Sequence, residues 1–281
     1  TIIFKGGKNG QVAAGEFELD VNGDPLPLAE SRVNEVFLSP DLLSRDGFGE
    51  LTVNNDDGDI IVPKGVKLEG AAGSSISLVG SNITIDGTVS SAGGKLSFNT
   101  GNIPLDRKNL QDGTTGLPLP TPYEGRGVFT LGSTGRVTVA GHLVDERGSE
   151  NSSALDPLFL DGGSIDIKSY SASLEEGGIL DVSGGAQVDP LGKVSYGDGG
   201  SLSISTGRDR LMNSIIGGRL SLGATLKGYS GATAGSLTIS APAIQIGGST
   251  DNSGVTLLKE DFFNQGGFGT FSLNGTGVAR D

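Results

Sequence analysis

The sequence predicts an all-β chain wound as a right-handed parallel β-helix, or β-solenoid, with a few short helices and loop excursions. Three observations predict it. Short segments alternate strictly between apolar and polar residues over three to five positions, as in Ile83-Thr84-Ile85 and Val137-Thr138-Val139, which is the period of a strand with one buried face. A unit of Gly-Gly, one small or polar residue, then apolar–polar–apolar recurs along the chain, and from 177 onward its copies start at 177, 199, 217 and 234. Steps of that size mark a stacked repeat. Finally, 49 Gly and 11 Pro among 281 residues make roughly a fifth of the chain, below the level of about 25–30% that signals aperiodic low complexity.

Taken in order, the chain opens on an apolar segment, Thr1-Ile2-Ile3-Phe4. Ser39-Pro40-Asp41-Leu42-Leu43-Ser44-Arg45 reads as a short helix, with Ser39 as N-cap, Pro40 in the first turn and Gly47 as the stop. The Gly-Gly units follow at 93–98, 162–167, 177–182, 199–204, 217–222 and, with Ala234 in the first place, 234–239. Within each, successive side chains point to opposite faces, so Ile165 and Ile167 share one side and Asp166 takes the other. Glycine at the corners is expected to supply positive φ for sharp turns. Residues 41–54 and 261–274 match at five of fourteen positions, including a shared Gly-Phe-Gly, and both read as a helical turn followed by re-entry into a strand. Three stretches break the rhythm as loop excursions: about 101–127, with its Leu117-Pro118-Leu119-Pro120-Thr121-Pro122 run, about 143–161 and about 205–216. With about 20–25 residues per turn of the winding, residues 1–281 would form a single segment of about 11–13 layers, roughly 50–60 Å long. Starting at Thr1 without a leader and ending without a tail, that segment is expected to be an internal piece of a longer protein.

Composition excludes several chemistries. With no Cys and one His, thiolate zinc sites, cysteine nucleophiles, disulfides and His-rich metal sites are impossible. A formal charge of -13 without a basic block opposes nucleic acid as a partner, and no apolar run of about 18 residues provides a membrane-spanning helix.

The densest oxygen-ligand cluster is Asn54-Asn55-Asp56-Asp57-Gly58-Asp59. Asp56, Asp57 and Asp59 could hold Ca²⁺ or supply paired catalytic carboxylates, but the cluster reads first as an Asx-rich turn between two strands. His142 lacks a nucleophile elbow and reads as a polar residue on an outward strand face. Asp161, Asp166, Asp181 and Glu175-Glu176 suggest a ladder of carboxylates whose plainer role is solubility. Asn82 and Asn274 begin glycosylation sequons but lie within or just after strand patterns. No catalytic, cofactor-binding or metal residue is assigned, and no cofactor.

The units Gly162-Gly163-Ser164-Ile165-Asp166-Ile167, Gly178-Ile179-Leu180-Asp181-Val182-Ser183-Gly184 and Gly235-Ser236-Leu237-Thr238-Ile239-Ser240-Ala241-Pro242 resemble the filamentous-haemagglutinin family of Gram-negative exoproteins. The resemblance covers about residues 47–275 as a style of repeat. It implies a right-handed β-helix exported by two-partner secretion through an outer-membrane transporter and displayed at the cell surface or secreted. The family's Asn-Pro-Asn-Leu secretion motif and the Arg-Gly-Asp tripeptide of some members are absent from this sequence. The absence of Cys suits a chain threaded unfolded through a pore.

The expected function is therefore that of a non-enzymatic structural or adhesive segment, with loops available for a glycan or protein ligand. A β-helical polysaccharide lyase or hydrolase using Asp56, Asp57 and a nearby Arg or Lys is the alternative, and a glycan-binding module built on the 101–127 loop is another.

Overall fold

The computed structural model describes residues 1–5, 20–24, 26, 33–44, 48–110, 119–147 and 158–277. Among them the chain is nearly all β, with parallel sheets and very little helix. No helix is long and apolar enough to cross a membrane.

The main sheet has seven strands, in the order Phe268–Gly275, Gly235–Ala241, Ser201–Ser205, Ser164–Lys168, Lys95–Thr100, Ser75–Gly80 and Glu50–Asn55. A second seven-stranded sheet runs from Leu220–Leu222 through Ser171–Leu174, Val128–Leu131, Ile83–Ile85, Ile60–Val62 and Ile2–Phe4 to Val36–Leu38. The five-stranded third sheet contains Thr225–Lys227, Ile179–Asp181, Arg136–Thr138, Thr88–Ser90 and Lys67–Glu69. From Ile60 to Ala241 the chain visits the second, third and main sheets in turn, so each strand other than the edge strands pairs with one from an earlier and one from a later visit. All pairing within these three sheets is parallel.

Alternation along each strand, combined with this register, produces apolar columns across the sheets. In the main sheet Leu78, Phe98, Ile167, Ile204 and Ile239 lie side by side, each with no exposed surface. Leu68, Val89, Val137, Leu180 and Leu226 form the matching column of the third sheet. These join one core, in which the rings of Phe98 and Phe129 from the main and second sheets meet at 5.2 Å between centroids.

The register corrects the expected repeat length. Glu50, Ser75, Lys95, Ser164, Ser201, Ser236 and Thr270 are neighbours across the main sheet, separated in sequence by 25, 20, 69, 37, 35 and 34 residues. The steps of about 20 counted from 177 mix strands of different sheets: 177–182 leads into the third sheet and 217–222 into the second, whereas 199–204 and 234–239 belong to the main sheet. Excursions lengthen the interval, so the expected 11–13 layers become seven strands in each long sheet, spanning about 29 Å at strand spacing.

Corner glycines such as Gly65, Gly73, Gly93 and Gly177 take the expected positive φ, but a second set of glycines has a different reason. The second glycine of each main-sheet unit, Gly94, Gly163, Gly200 and Gly235, has negative or extended φ and is absent from the left-handed region. These four stack on one another, and their carbonyls continue the parallel ladder: Ser164 N–H donates to Gly94 O at 2.9 Å, Ser201 to Gly163 at 3.0 Å and Ser236 to Gly200 at 2.9 Å. A Cβ on Gly163 or Gly200 would collide with the carbonyl of the glycine before it in the column. Close backbone approach, rather than turn conformation, requires glycine there.

Helix is confined to one turn at Asp41–Ser44 and 3₁₀ segments at Leu105–Leu110 and Glu260–Asn264 among the described residues. The Ser39 hydroxyl accepts from Asp41 N–H at 3.2 Å, the bond expected of an N-cap residue followed by Pro40; the expected stop at Gly47 lies outside the described residues. The two matched segments do each pair a helical turn with a strand, and those strands, Glu50–Asn55 and Phe268–Gly275, form opposite edges of the main sheet. Phe268 is tucked against Gly228, while its counterpart Phe48 is 56% exposed.

A small side sheet departs from the parallel pattern. Leu143–Asp145 pairs with Ala186–Val188, which turns through Asp189–Lys193 and pairs antiparallel with Val194–Tyr196. The sequence reading marked 143–161 as an excursion but missed this hairpin. Much of that excursion, 148–157, lies outside the described residues.

Candidate binding site

The Asn54–Asp59 turn and the 101–127 and 205–216 excursions meet on one side of the main sheet, although up to 154 residues separate their contacts. The two excursions are held by the buried polar side chains of Asn102 and Asp209, and the turn by arginines from the excursions.

Asn102, 1% exposed, closes the base of the first excursion. Its amide donates to Tyr123 O and Arg126 O, both at 2.8 Å, and its Oδ1 accepts from Tyr123 N–H at 2.8 Å. Arg126 Nε returns a bond to Asn102 O at 3.0 Å. One side chain thus ties both ends of a loop whose prolines cannot supply backbone donors.

Asp209, also 1% exposed, joins the two excursions. Its Oδ2 accepts from Asn102 N–H at 2.6 Å and Ile103 N–H at 3.1 Å, and its Oδ1 from Leu211 and Met212 N–H, both at 2.9 Å. Four backbone donors compensate its burial without a cation. Beneath it Ile103, Met212 and Ile215 form a satellite core against Tyr170 and Leu211. Burial raises the Tyr170 phenol above its ordinary value, the Gly218 backbone bond opposes this, and the Asp209 charge adds a smaller upward push.

The acidic turn is held by arginines from the excursions. Asp56 pairs with Arg210, whose side chain is 20% exposed against 21% for the aspartate. Asp57 pairs with Arg126 at 2.9 Å and accepts from Leu105 N–H at 3.2 Å. Asp59 accepts from Ser81 Oγ at 2.8 Å and Asn82 Nδ2 at 2.9 Å. The three carboxylates therefore face separate partners rather than a shared ion. No group of three or more metal-ligating side chains forms among the described residues.

Other residues marked in the sequence disperse. His142 is half-buried and just outside the strand Leu143–Asp145: its ring Nδ1 accepts from Phe159 N–H at 3.3 Å while its backbone N–H donates to Phe159 O at 2.7 Å. It thereby holds the end of the 143–161 excursion. The carboxylate ladder does not exist. Asp166 is in the main sheet and pairs with Lys168 at 2.6 Å, Asp181 is in the third sheet and accepts from Ser183 N–H, Asp161 accepts from Asp198 N–H, and Glu175 from Ser133 N–H. Asn82 of the first sequon spends its side chain on Asp59, Gly125 O and Val128 N–H, while Asn274 is exposed beside Ser240.

Sequence reasoning missed Asn102, Arg126, Asp209 and Arg210. Arg208-Asp209-Arg210 stood out only as charge within an excursion, and nothing local distinguishes a buried Asp from its exposed neighbours. Comparison with family models, with curated proteins and with solved structures finds no match to this chain.

Proposed function

We propose that the three parallel sheets form one right-handed β-helix, a β-solenoid whose successive turns each contribute a strand to every sheet, and that this winding is a structural scaffold that presents binding loops. The observation carrying this reading is the in-register stacking of apolar columns and of the Gly94–Gly163–Gly200–Gly235 column across visits separated by 69, 37 and 35 residues. Intervals that unequal leave strand position unchanged only if each turn adds to the last and excursions bulge outward. Buried Asn102 and Asp209 set those excursions rigidly on the scaffold, as a binding surface requires.

The scaffold belongs to a surface-displayed or secreted exoprotein of a Gram-negative bacterium, exported by a two-partner-secretion transporter of the outer membrane. Its role is adhesive, with a glycan or protein ligand met by the loops. The repeat style of 162–167, 178–184 and 235–242, the absence of Cys and the net charge of -13 support this.

The lyase or hydrolase alternative draws on Arg210 and Arg126 lying against Asp56 and Asp57. Those contacts neutralise the carboxylates in separate pairs, which favours the non-catalytic reading. Incubation with acidic polysaccharides, monitored for reducing ends and unsaturated sugars, is expected to show no turnover. Turnover that disappears in Asp56→Asn or Asp57→Asn would overturn the scaffold role.

A further inference from the structure

The third sheet ends at Thr225–Lys227, and a cleft of about 780 Å³ opens beside that edge. Thr225 N–H donates to Gly178 O at 2.9 Å, and Lys227 O accepts from Val182 N–H at 2.8 Å, so both residues bond back toward Ile179–Asp181. Leu226 lies between them and directs its N–H and carbonyl the other way, as alternate residues of a parallel ladder do. On that side the ladder resumes only at Gly266, whose carbonyl accepts from Gly228 N–H at 2.7 Å. The residues before Gly266 form the 3₁₀ turn Glu260–Asn264 instead of a strand. Leu226 N–H therefore faces the cleft with no hydrogen-bond partner among the described residues.

The walls are apolar. Leu226, Leu237, Leu258, Phe262, Phe268 and Phe271 all line the cleft, and the Phe271 ring meets Phe262 and Phe268 edge to face at 6.2 and 6.1 Å. Phe262 and Phe271 are only half-buried. At the opposite edge of the main sheet the matched turn is closed: Leu43 of Asp41–Ser44 is 1% exposed and joins the core, whereas its counterpart Phe263 is half-buried. The same local pattern seals one end and leaves aromatic surface open at the other, surface that an apolar ligand would remove from water. Charge enters only at the exposed lining residues Glu176, Lys259 and Asp261. Two carboxylates and one ammonium select neither sign strongly, and the net charge of -13 repels anions.

We infer that this cleft binds an uncharged, largely apolar small molecule with one hydrogen-bond acceptor, a ketone, ether or ester, placed to meet Leu226 N–H. Its body lies against the Phe262 and Phe271 rings. Apolar and aromatic walls with a single convergent polar group are the usual composition of small-ligand sites, and the volume is within their range of about 300–1,000 Å³. The inference goes beyond the scaffold role proposed above and does not draw on it, because no residue of the 101–127 or 205–216 excursion lines this cleft.

Fluorescence titration of the full chain with prodan, a neutral naphthyl ketone, tests it. Saturable, blue-shifted emission is expected, displaced by methyl octyl ketone but not by equal concentrations of decanoate or decyltrimethylammonium. Ala224→Trp, at a half-buried lining position, should fill the cleft and abolish the blue shift. Phe262→Ala removes one wall and should weaken binding about tenfold. Leu143 and Leu191 of the side sheet are 81% and 95% exposed, so Leu143→Ser combined with Leu191→Ser shows whether the probe merely coats exposed apolar residues; binding should be unchanged. No saturable binding, displacement by a charged competitor as strong as by the ketone, unchanged binding in both cleft variants, or loss of binding in the side-sheet variant would each overturn the site. None of those results touches the scaffold reading, which falls separately on polysaccharide turnover.

Discussion

Asp209 and Ile167 are both buried, and they fail differently when changed. Ile167 has no exposed surface and neighbours Phe98 and Ile204 in its column. Ile167→Asp places a carboxylate among alkyl groups with no donors, and a loss above about 4 kcal/mol is expected, seen as failure to fold or a collapsed melting temperature. Glycines divide by environment in the same way. Gly200→Ala drives a Cβ onto the Gly163 carbonyl, whereas Gly49 has nothing within 4 Å of the added atom and no positive φ. Gly200→Ala should therefore strongly destabilise and Gly49→Ala be nearly silent, compared by urea denaturation. Tyr170 gives a pH effect. Its folded phenol titrates above the ordinary value of 10.0 because burial disfavours the anion. The folded state thus holds the proton more tightly than the unfolded one. That contribution is complete below pH 10 and is lost as pH rises through the folded value. Tyr170→Phe should flatten the alkaline fall in melting temperature, and equal curves for both proteins between pH 9 and 11 would refute the assignment.

At the scale of elements, excursions are joined to each other as firmly as to the sheets. Asp209→Ala would leave the N–H groups of Asn102, Ile103, Leu211 and Met212 without their acceptor. With about 1–3 kcal/mol for each group left buried and unsatisfied, partly relieved by water entry, the expected outcome is local opening. Limited proteolysis should cut within the described parts of the excursion, 101–110 and 119–127, more readily in the variant than in the parent. The Asn102 clamp shows how far local sequence reaches. Proline density made the loop legible, while the residue closing it looks like any Asn beside a glycine. The excursion lengths were legible as breaks in alternation, yet the Ala186–Tyr196 hairpin escaped because its turn carries the same Gly, Asp and Pro residues as every corner around it.

For the whole molecule, strands bond to their sheet neighbours and excursions leave and rejoin at fixed points. The 205–216 excursion has a closed neck: Gly217 N–H donates to Gly207 O at 3.0 Å, and Gly207 N–H to Tyr170 O at 3.1 Å. Joining Gly207 directly to Gly217 should leave the parallel sheets folded, with strand circular dichroism retained, while the segment around Asn102 and Ile103 becomes protease-sensitive through loss of Asp209. Loss of the strand signal itself would show that the sheets depend on the excursion. The sequence by itself determined what is local: the alternating strands of the three large sheets, the face of each that points inward, and where a helical turn enters the edge strands, but not the side-sheet strands at 143–145, 186–188 and 194–196. Period-two alternation is a property of consecutive residues, so it survives without knowledge of the partner strand. Only the tertiary structure decided which strands are neighbours, why glycine stands in the Gly94–Gly235 column, and that Asp56 meets Arg210. Loop-closure entropy grows slowly with length, so a step of 20 residues and one of 69 lead to adjacent strands alike, and spacing along the chain carries little record of neighbourhood in space.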